Sequence, residues 1–393
     1  MLKSFKLFKN ILIRVDYNVP IQNDIILDLN RIESSLPTIR YFLKHNKKII
    51  LMSHLGRPKG LDKNYSLEKL IKPLEKLLGL KVLFIPEITS ESVNLISNKL
   101  YSIVLLENLR FYPGEKTNDI EFARLLSNCG DIYINDAFGV SHRNHASVSA
   151  ITQFFENQKY KGLLLESELR ALNKLKQSTI NPYTIIVGGS KIGSKIYMLQ
   201  SFLNVADNII IGGGMAFPFI KYLGGDIGSS IFKEQELVIV EEFLNQAKQS
   251  KTKIILPIDC LITNNIKERG DQRHIDIMKI PQNYMGVDIG VKTIKLFCDV
   301  ISSSKLIMWN GPMGISEIDD FSNGTKEIAE SVAKVTNQGS YSLLGGGDTI
   351  SEISKWGLKN KFSYISTGGG AMLEFFKNKN LPGTKDLDSM TKF

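Results

Sequence analysis

The chain has 393 residues, 43% of them apolar and 23% charged, with a formal net charge of +9. That length exceeds one compact core, so two domains are expected, and the composition excludes a disordered or fibrous chain. The positive charge lies on dispersed lysines such as Lys3, Lys6, Lys9, Lys44, Lys47 and Lys48, with no arginine-rich stripe, which argues against a nucleic-acid partner.

Along the chain, the basic N-terminal stretch is interrupted at Arg14 before it forms a signal-like apolar run, and no later run approaches the ~18 apolar residues of a membrane span. Strands are expected at 11–15, 48–52, 81–85, 102–106 and 131–135. Helices are expected at 31–44 and 66–78, the first with Ile32, Leu36, Ile39 and Leu43 as one apolar stripe. The segment 162–172 reads as a helix that links the halves, and Asn181-Pro182 ends it. Six more strands follow at 184–187, 208–211, 253–256, 306–309, 340–344 and 362–366, with helices at 234–248 and 326–335. Runs this apolar, without polar alternation, belong to strands buried on both faces. The α/β alternation therefore implies two doubly wound parallel-sheet, Rossmann-like domains joined by a linking helix. Cys129, Cys260 and Cys298 are odd in number and widely spaced, which disfavours a disulfide scaffold or thiolate metal site and fits a cytoplasmic protein.

Ligands of such sheets sit beyond the carboxyl ends of the strands. In the first half those ends carry Asp16-Tyr17-Asn18, Ser53-His54-Leu55-Gly56-Arg57, Glu107 to Arg110, and Asp136 to Arg143, while Arg31 opens the first helix. Asp16 and Asn18 suit either an Asx turn or the holding of a hydroxyl or an arginine. Several arginines delivered to one sheet edge repel unless an anion neutralises them, and a phosphate plus a carboxylate would do so.

The second half carries glycine loops instead. Gly188-Gly189-Ser190-Lys191-Ile192-Gly193-Ser194-Lys195 misses the Walker-A order, but Lys191 and Lys195 are four apart and would share a helix face toward polyphosphate. Gly345-Gly346-Gly347-Asp348-Thr349 leads from a strand into a helix whose start favours anions; Asp348 suits either a magnesium ion or an N-cap. Asn310-Gly311-Pro312-Met313-Gly314 follows another strand, with Glu317 just beyond, and Gly212-Gly213-Gly214 and Gly368-Gly369-Gly370 complete the set. No G-x-G-x-x-G with a following acidic residue accompanies them, so a nicotinamide dehydrogenase is disfavoured.

Ten segments in order, RVDYNVP, SHLGRPKG, LLENLRFYPGE, NDAFGVSHRNHAS, GGSKIGSKI, GGGMAF, MGVDIG, WNGPMG, GGGDT and STGGGA, make the whole chain resemble the phosphoglycerate kinase family. The resemblance implies reversible phosphoryl transfer between 1,3-bisphosphoglycerate and ADP in glycolysis, giving 3-phosphoglycerate and ATP, with Mg²⁺. It implies a substrate site of Asp16, Asn18, Arg31, His54, Arg57, Arg110 and Arg143, with Tyr17, Leu55 and Gly56 of the same motifs. The nucleotide site would hold Lys191, Lys195, Gly213, Asn310, Glu317 at the ribose, Gly346, Gly347, Asp348 and Thr349, with Asp348 toward the metal. Arg31 and Lys195 would be catalytic. The implied domains are 1–161 with 381–393 for the glycerate phosphate, 162–182 as interdomain helix and hinge, and 183–380 for the nucleotide, in a cytoplasmic, hinge-bending monomer with no membrane or nucleic-acid partner. Ser316 stands where the family commonly has phenylalanine and Val291 where it has proline, which bears on ribose and adenine packing but removes no charge. A degenerate, non-catalytic relative is the main rival, and intact Arg31, Lys195 and Asp348 argue against it.

Overall fold

In a computed structural model, which describes residues 8–96, 100–190, 192–193, 195–268, 270–377 and 380–390, the chain divides into two units. One comprises Met1–Arg170 with Asn378–Phe393, the other Ala171–Lys377. The boundary falls inside the helix Leu163–Lys176.

The first unit is built on a seven-stranded sheet whose pairings are all parallel. Its order is Asp388–Ser389, Lys159–Lys161, Ile132–Asn135, Asn10–Arg14, Lys48–Met52, Ile103–Leu106 and Val82–Ile85. Ile11, Leu12 and Ile13 are fully buried, as are Ile49, Ile50 and Leu51, so both faces of the central strands are covered, as their unbroken apolar runs require. Strand order reverses about Asn10–Arg14, which makes its carboxyl end a switch point where loops diverge and leave a crevice.

The helix Asn30–Lys44 covers this sheet with Ile32, Leu36, Ile39 and Phe42 buried; Phe42 takes the inner position expected for Leu43, which is only partly buried. The helix expected over 66–78 is divided. Ser66 Oγ accepts from the Glu68 N–H and starts a 3₁₀ turn, Leu67–Leu70, before the α-helix Ile71–Leu78.

The second unit has a six-stranded parallel sheet ordered Lys253–Ile255, Asn208–Ile211, Tyr183–Val187, Leu306–Asn310, Tyr341–Gly345 and Tyr364–Ile365. Its switch point lies between Tyr183–Val187 and Leu306–Asn310, whose ends enter the glycine loops. Beside it stands an antiparallel sheet ordered Gln272–Asp276, Asp259–Thr263 and Met285–Ile289. Sequence reading expected parallel sheets alone. None of the three was expected: Gln272–Asp276 is mostly exposed and polar and lacks the apolar signal of a doubly covered strand, and its partners Asp259–Thr263 and Met285–Ile289 carry polar or glycine positions that break an apolar run.

Candidate functional site

At the first unit's switch point, cations converge on a buried histidine. Arg14, the last residue of the central strand, is fully buried and donates from Nε to Ser147 Oγ at 2.9 Å. Its Nη2 donates to His54 Nδ1 at 3.2 Å. Burial and then the charges of Arg14, Arg110, Arg31 and Arg143 hold the His54 pKa well below the ordinary histidine value, so the ring is neutral at physiological pH. Arg110 is itself pushed down to about 10, by burial and by Arg143 and Arg14, against the pull of Asp16 and Glu115. The buried Nε atoms of Arg110 and Arg143 have no protein hydrogen-bond partner. Like charges packed with spare donors are the arrangement an anion stabilises.

Side-chain amides and carboxylates shape the surrounding loops. Asp16 accepts from Arg31 Nη1 at 2.8 Å and from the Asn18 N–H at 3.3 Å, so it both closes an Asx turn and holds an arginine. Asn18 Oδ1 accepts from the Gly56 N–H at 2.8 Å, and the Gly56 carbonyl accepts from Arg110 Nη1. Asn108 donates to the Leu55 and Tyr65 carbonyls and accepts from the Leu55 and Arg110 N–H groups, pinning the loop that carries His54 and the exposed Arg57. Tyr17 and Leu55 are different. The Tyr17 ring is fully buried with its hydroxyl 3.1 Å from Ser35 Oγ, and Leu55 is also buried, so their side chains belong to the core rather than to the loop surface.

The second unit's switch point is lined by backbone. Lys195 is half-buried, and its ammonium donates to the carbonyls of Gly188 at 2.6 Å and Asn310 at 3.2 Å. Burial lowers its pKa to about 8, with Asp348 opposing the shift. Gly213 has φ +58°, and a Cβ there would lie 2.7 Å from both the Gly189 nitrogen and the Pro312 oxygen, so no other residue fits between these loops. Gly346, φ +99°, caps the helix Gly347–Lys355, and the Thr349 hydroxyl accepts from the Gly311 N–H at 2.9 Å, tying two glycine loops together. Asp348 lies inside that helix's first turn, exposed and making no cap hydrogen bond, which removes the N-cap reading.

These loops border a cavity of about 420 Å³, with Gly189, Gly213, Glu317 and Asp348 on its lining and Phe217, Ile277, Val287 and Met313 as an apolar wall. A phosphate-friendly rim beside an apolar slot matches a nucleotide in shape and polarity. Lys191 lies outside the described residues.

Three contributors escaped sequence reading. Arg14 and Glu115 were read within motifs but given no role, though a lone arginine in the run Ile11-Leu12-Ile13-Arg14-Val15 signals a buried, partnered charge. Asp288, also lining the cavity, is pushed up to about 7 by burial while the Gly324 and Ile289 N–H groups donate to it.

Comparison with known proteins gives a consistent result. Residues 5–379 match the family described as phosphoglycerate kinase. The phosphoglycerate kinase of Thermosipho africanus is 44% identical over 388 residues, covering 98% of this chain and 96% of that protein. That of Dictyoglomus turgidum is 45% identical over 381 residues, covering 96% and 95%. The solved phosphoglycerate kinase of Coxiella burnetii superposes with a TM-score of 0.83 at 34% identity over 96% of this chain and 95% of that one. The Pyrococcus horikoshii structure gives 0.81 at 29% identity over 98% and 97%.

Proposed function

The chain belongs to the phosphoglycerate kinase family, and we propose, from that premise, how its residues divide the reversible transfer of a phosphoryl group between 1,3-bisphosphoglycerate and ADP. The first domain, 1–161 with 381–393, holds the glycerate ligand, and the second, 183–380, holds the nucleotide. Asp16, Asn18 and His54 meet the polar body of the glycerate, and Arg57, Arg110 and Arg143 its phosphate. The observation that carries this reading is the crowding of Arg14, Arg31, Arg110 and Arg143 around neutral His54, which lacks enough carboxylate on the protein side to balance it.

In the direction of ATP consumption the acceptor is a carboxylate, already ionised at neutral pH, so no general base is needed. What remains is to neutralise and align two anions that repel. Arg31 and Lys195 stabilise the equatorial oxygens of the transferring group, while the N–H groups at Gly346 and Gly347 and the helix start hold the nucleotide phosphates. Gly213 and Asn310 keep the loops in place, Lys191 adds charge, and Glu317 meets the ribose.

Mg²⁺ fits this donor set. Among the described residues no cluster of three or more His, Cys, Asp or Glu is placed to hold a metal by itself. Exposed Asp348 beside the phosphate loops instead suits an ion that takes one carboxylate and completes its shell with phosphate oxygens and water. When bound, the ion offsets charge on the phosphates.

Because each ligand is read onto a different domain, direct transfer requires closure, and we place the hinge at 162–182. We also infer a cytoplasmic location, in keeping with three cysteines that are all free thiols, and, from the family resemblance, a monomer. The deciding experiment is ATP formation from ADP and 1,3-bisphosphoglycerate with and without magnesium. Turnover that depends on magnesium is expected; no turnover in its presence overturns the reading.

A further inference from the structure

Behind the anion-binding edge lies a buried polar chain that the reaction as described leaves without a task. Glu115, in the helix Pro113–Thr117, is fully buried. Its Oε1 accepts from Ser147 Oγ at 2.7 Å, and its Oε2 accepts from the Ser147 N–H at 3.0 Å. Ser147 Oγ in turn accepts from Arg14 Nε, and Arg14 Nη2 lies 3.9 Å from Glu115 Oε1. The same Nη2 donates to His54 Nδ1 at 3.2 Å.

A guanidinium can only donate, so the nitrogen beside it must offer a lone pair. The neutral His54 ring therefore carries its proton on Nε2. Asp16 competes for the opposite tautomer, since its Oδ1 lies 3.9 Å from His54 Nδ1, but Arg14 is closer at 3.2 Å. No protein acceptor engages Nε2 among the described residues, and the positive charges around the ring are those of Arg14, Arg31, Arg110 and Arg143.

We infer that Arg14, held by Glu115 and Ser147, is a positioning residue that fixes His54 in the tautomer presenting Nε2–H to the anionic substrate. The inference rests on the proposed glycerate site. Glu115 is the element that can be tested. A glutamine there removes the negative charge 3.9 Å from Arg14 Nη2 and turns the Ser147 hydroxyl from donor to acceptor, so the side of Arg14 that faces His54 is loosened while Nη1 stays on the Val15 carbonyl.

The experiment combines nitrogen-15 NMR of the full-length, histidine-labelled protein with steady-state kinetics, the His54 signal being assigned by its loss in His54→Gln. In the parent protein the spectrum should show a bare Nδ1 and a protonated Nε2 between pH 6 and 8. Glu115→Gln should give a tautomer mixture and raise KM for 3-phosphoglycerate roughly tenfold, the cost of a weakened hydrogen bond to a charged group, with KM for ATP unchanged. In a His54→Gln background the same substitution should change KM less than about twofold, because the effect runs through the ring.

A proton on Nδ1 in the parent overturns the inference, as does a full effect in the double variant or an equal rise in both KM values. If Glu115→Gln does not fold, the parent spectrum still decides, and Ser147→Ala tests the same link. Absent turnover in the parent would sink the kinase reading while the NMR result still judged the tautomer.

Discussion

Arg31 holds Asp16 with one nitrogen while its side chain stays 33% exposed, so donors remain for a ligand. In the proposed reaction its charge acts on the transferring group rather than on ADP. Arg31→Ala should therefore lower kcat by about 10³-fold or more while leaving the Kd for ADP nearly intact, and near-normal kcat in stopped assays would refute the role. Lys195 makes a pH prediction. Unlike Arg31, it is read at the nucleotide phosphates as well as at the transferring group, and its pKa of about 8 in the free protein means that ADP affinity should fall as pH rises through about 8, with proton uptake on binding. Calorimetry between pH 7 and 9.5 in two buffers checks this, and a flat affinity would contradict it. The same group bears on stability. Its folded pKa lies below the unfolded value of 10.5, so the unfolded chain binds more protons between about 8 and 10.5, and this group makes stability rise with pH over that window.

Among elements, the helix Leu163–Lys176 starts on a buried carboxylate. Asp136 Oδ1 accepts from the Leu164 and Leu165 N–H groups, and Thr38 Oγ accepts from the Leu163 N–H. Burial pushes the Asp136 pKa up to about 6, against the hydrogen bonds from Thr38, Leu165 and Leu164, so its ionised form gains little over an uncharged acceptor. Asp136→Ala should cost about 1–2 kcal/mol by stranding the helix start, whereas Asp136→Asn should keep most of that stability. Urea unfolding separates the two, and equal losses would argue against a capping role. The glycine loops are less forgiving. Gly213→Ala drives a Cβ into the Gly189 and Pro312 backbone at a positive φ, so it should weaken ADP binding at least tenfold and lower Tm, as fluorescence titration and thermal melts would show.

For the whole molecule, the proposal requires the glycerate and nucleotide ligands to be brought together. Small-angle scattering should show greater compaction with 3-phosphoglycerate and a non-hydrolysable ATP analogue together than with either alone; an unchanged radius of gyration would count against closure. The C-terminal residues join the first unit physically. Asp388 and Ser389 pair with Tyr160 and Lys161, Ser389 Oγ donates to Glu166, and Asn135 donates to the Gly383 carbonyl.

The doubly wound class was legible from unbroken runs such as Ile49-Ile50-Leu51, because strands covered on both faces have no polar side to show. So were the strand-end residues, since glycines and arginines after such runs fall where ligands bind in open α/β sheets. Local pattern could not reveal the antiparallel sheet, whose outer strand is polar, nor that the Tyr17 ring turns inward to Ser35. It could not pair Arg14 with Glu115 either, because those residues stand 101 positions apart and meet only when the sheet and its covering segments are assembled. Residue types and their order decided what chemistry is available; long-range packing decided which charges are buried, which are answered, and which are left to a ligand.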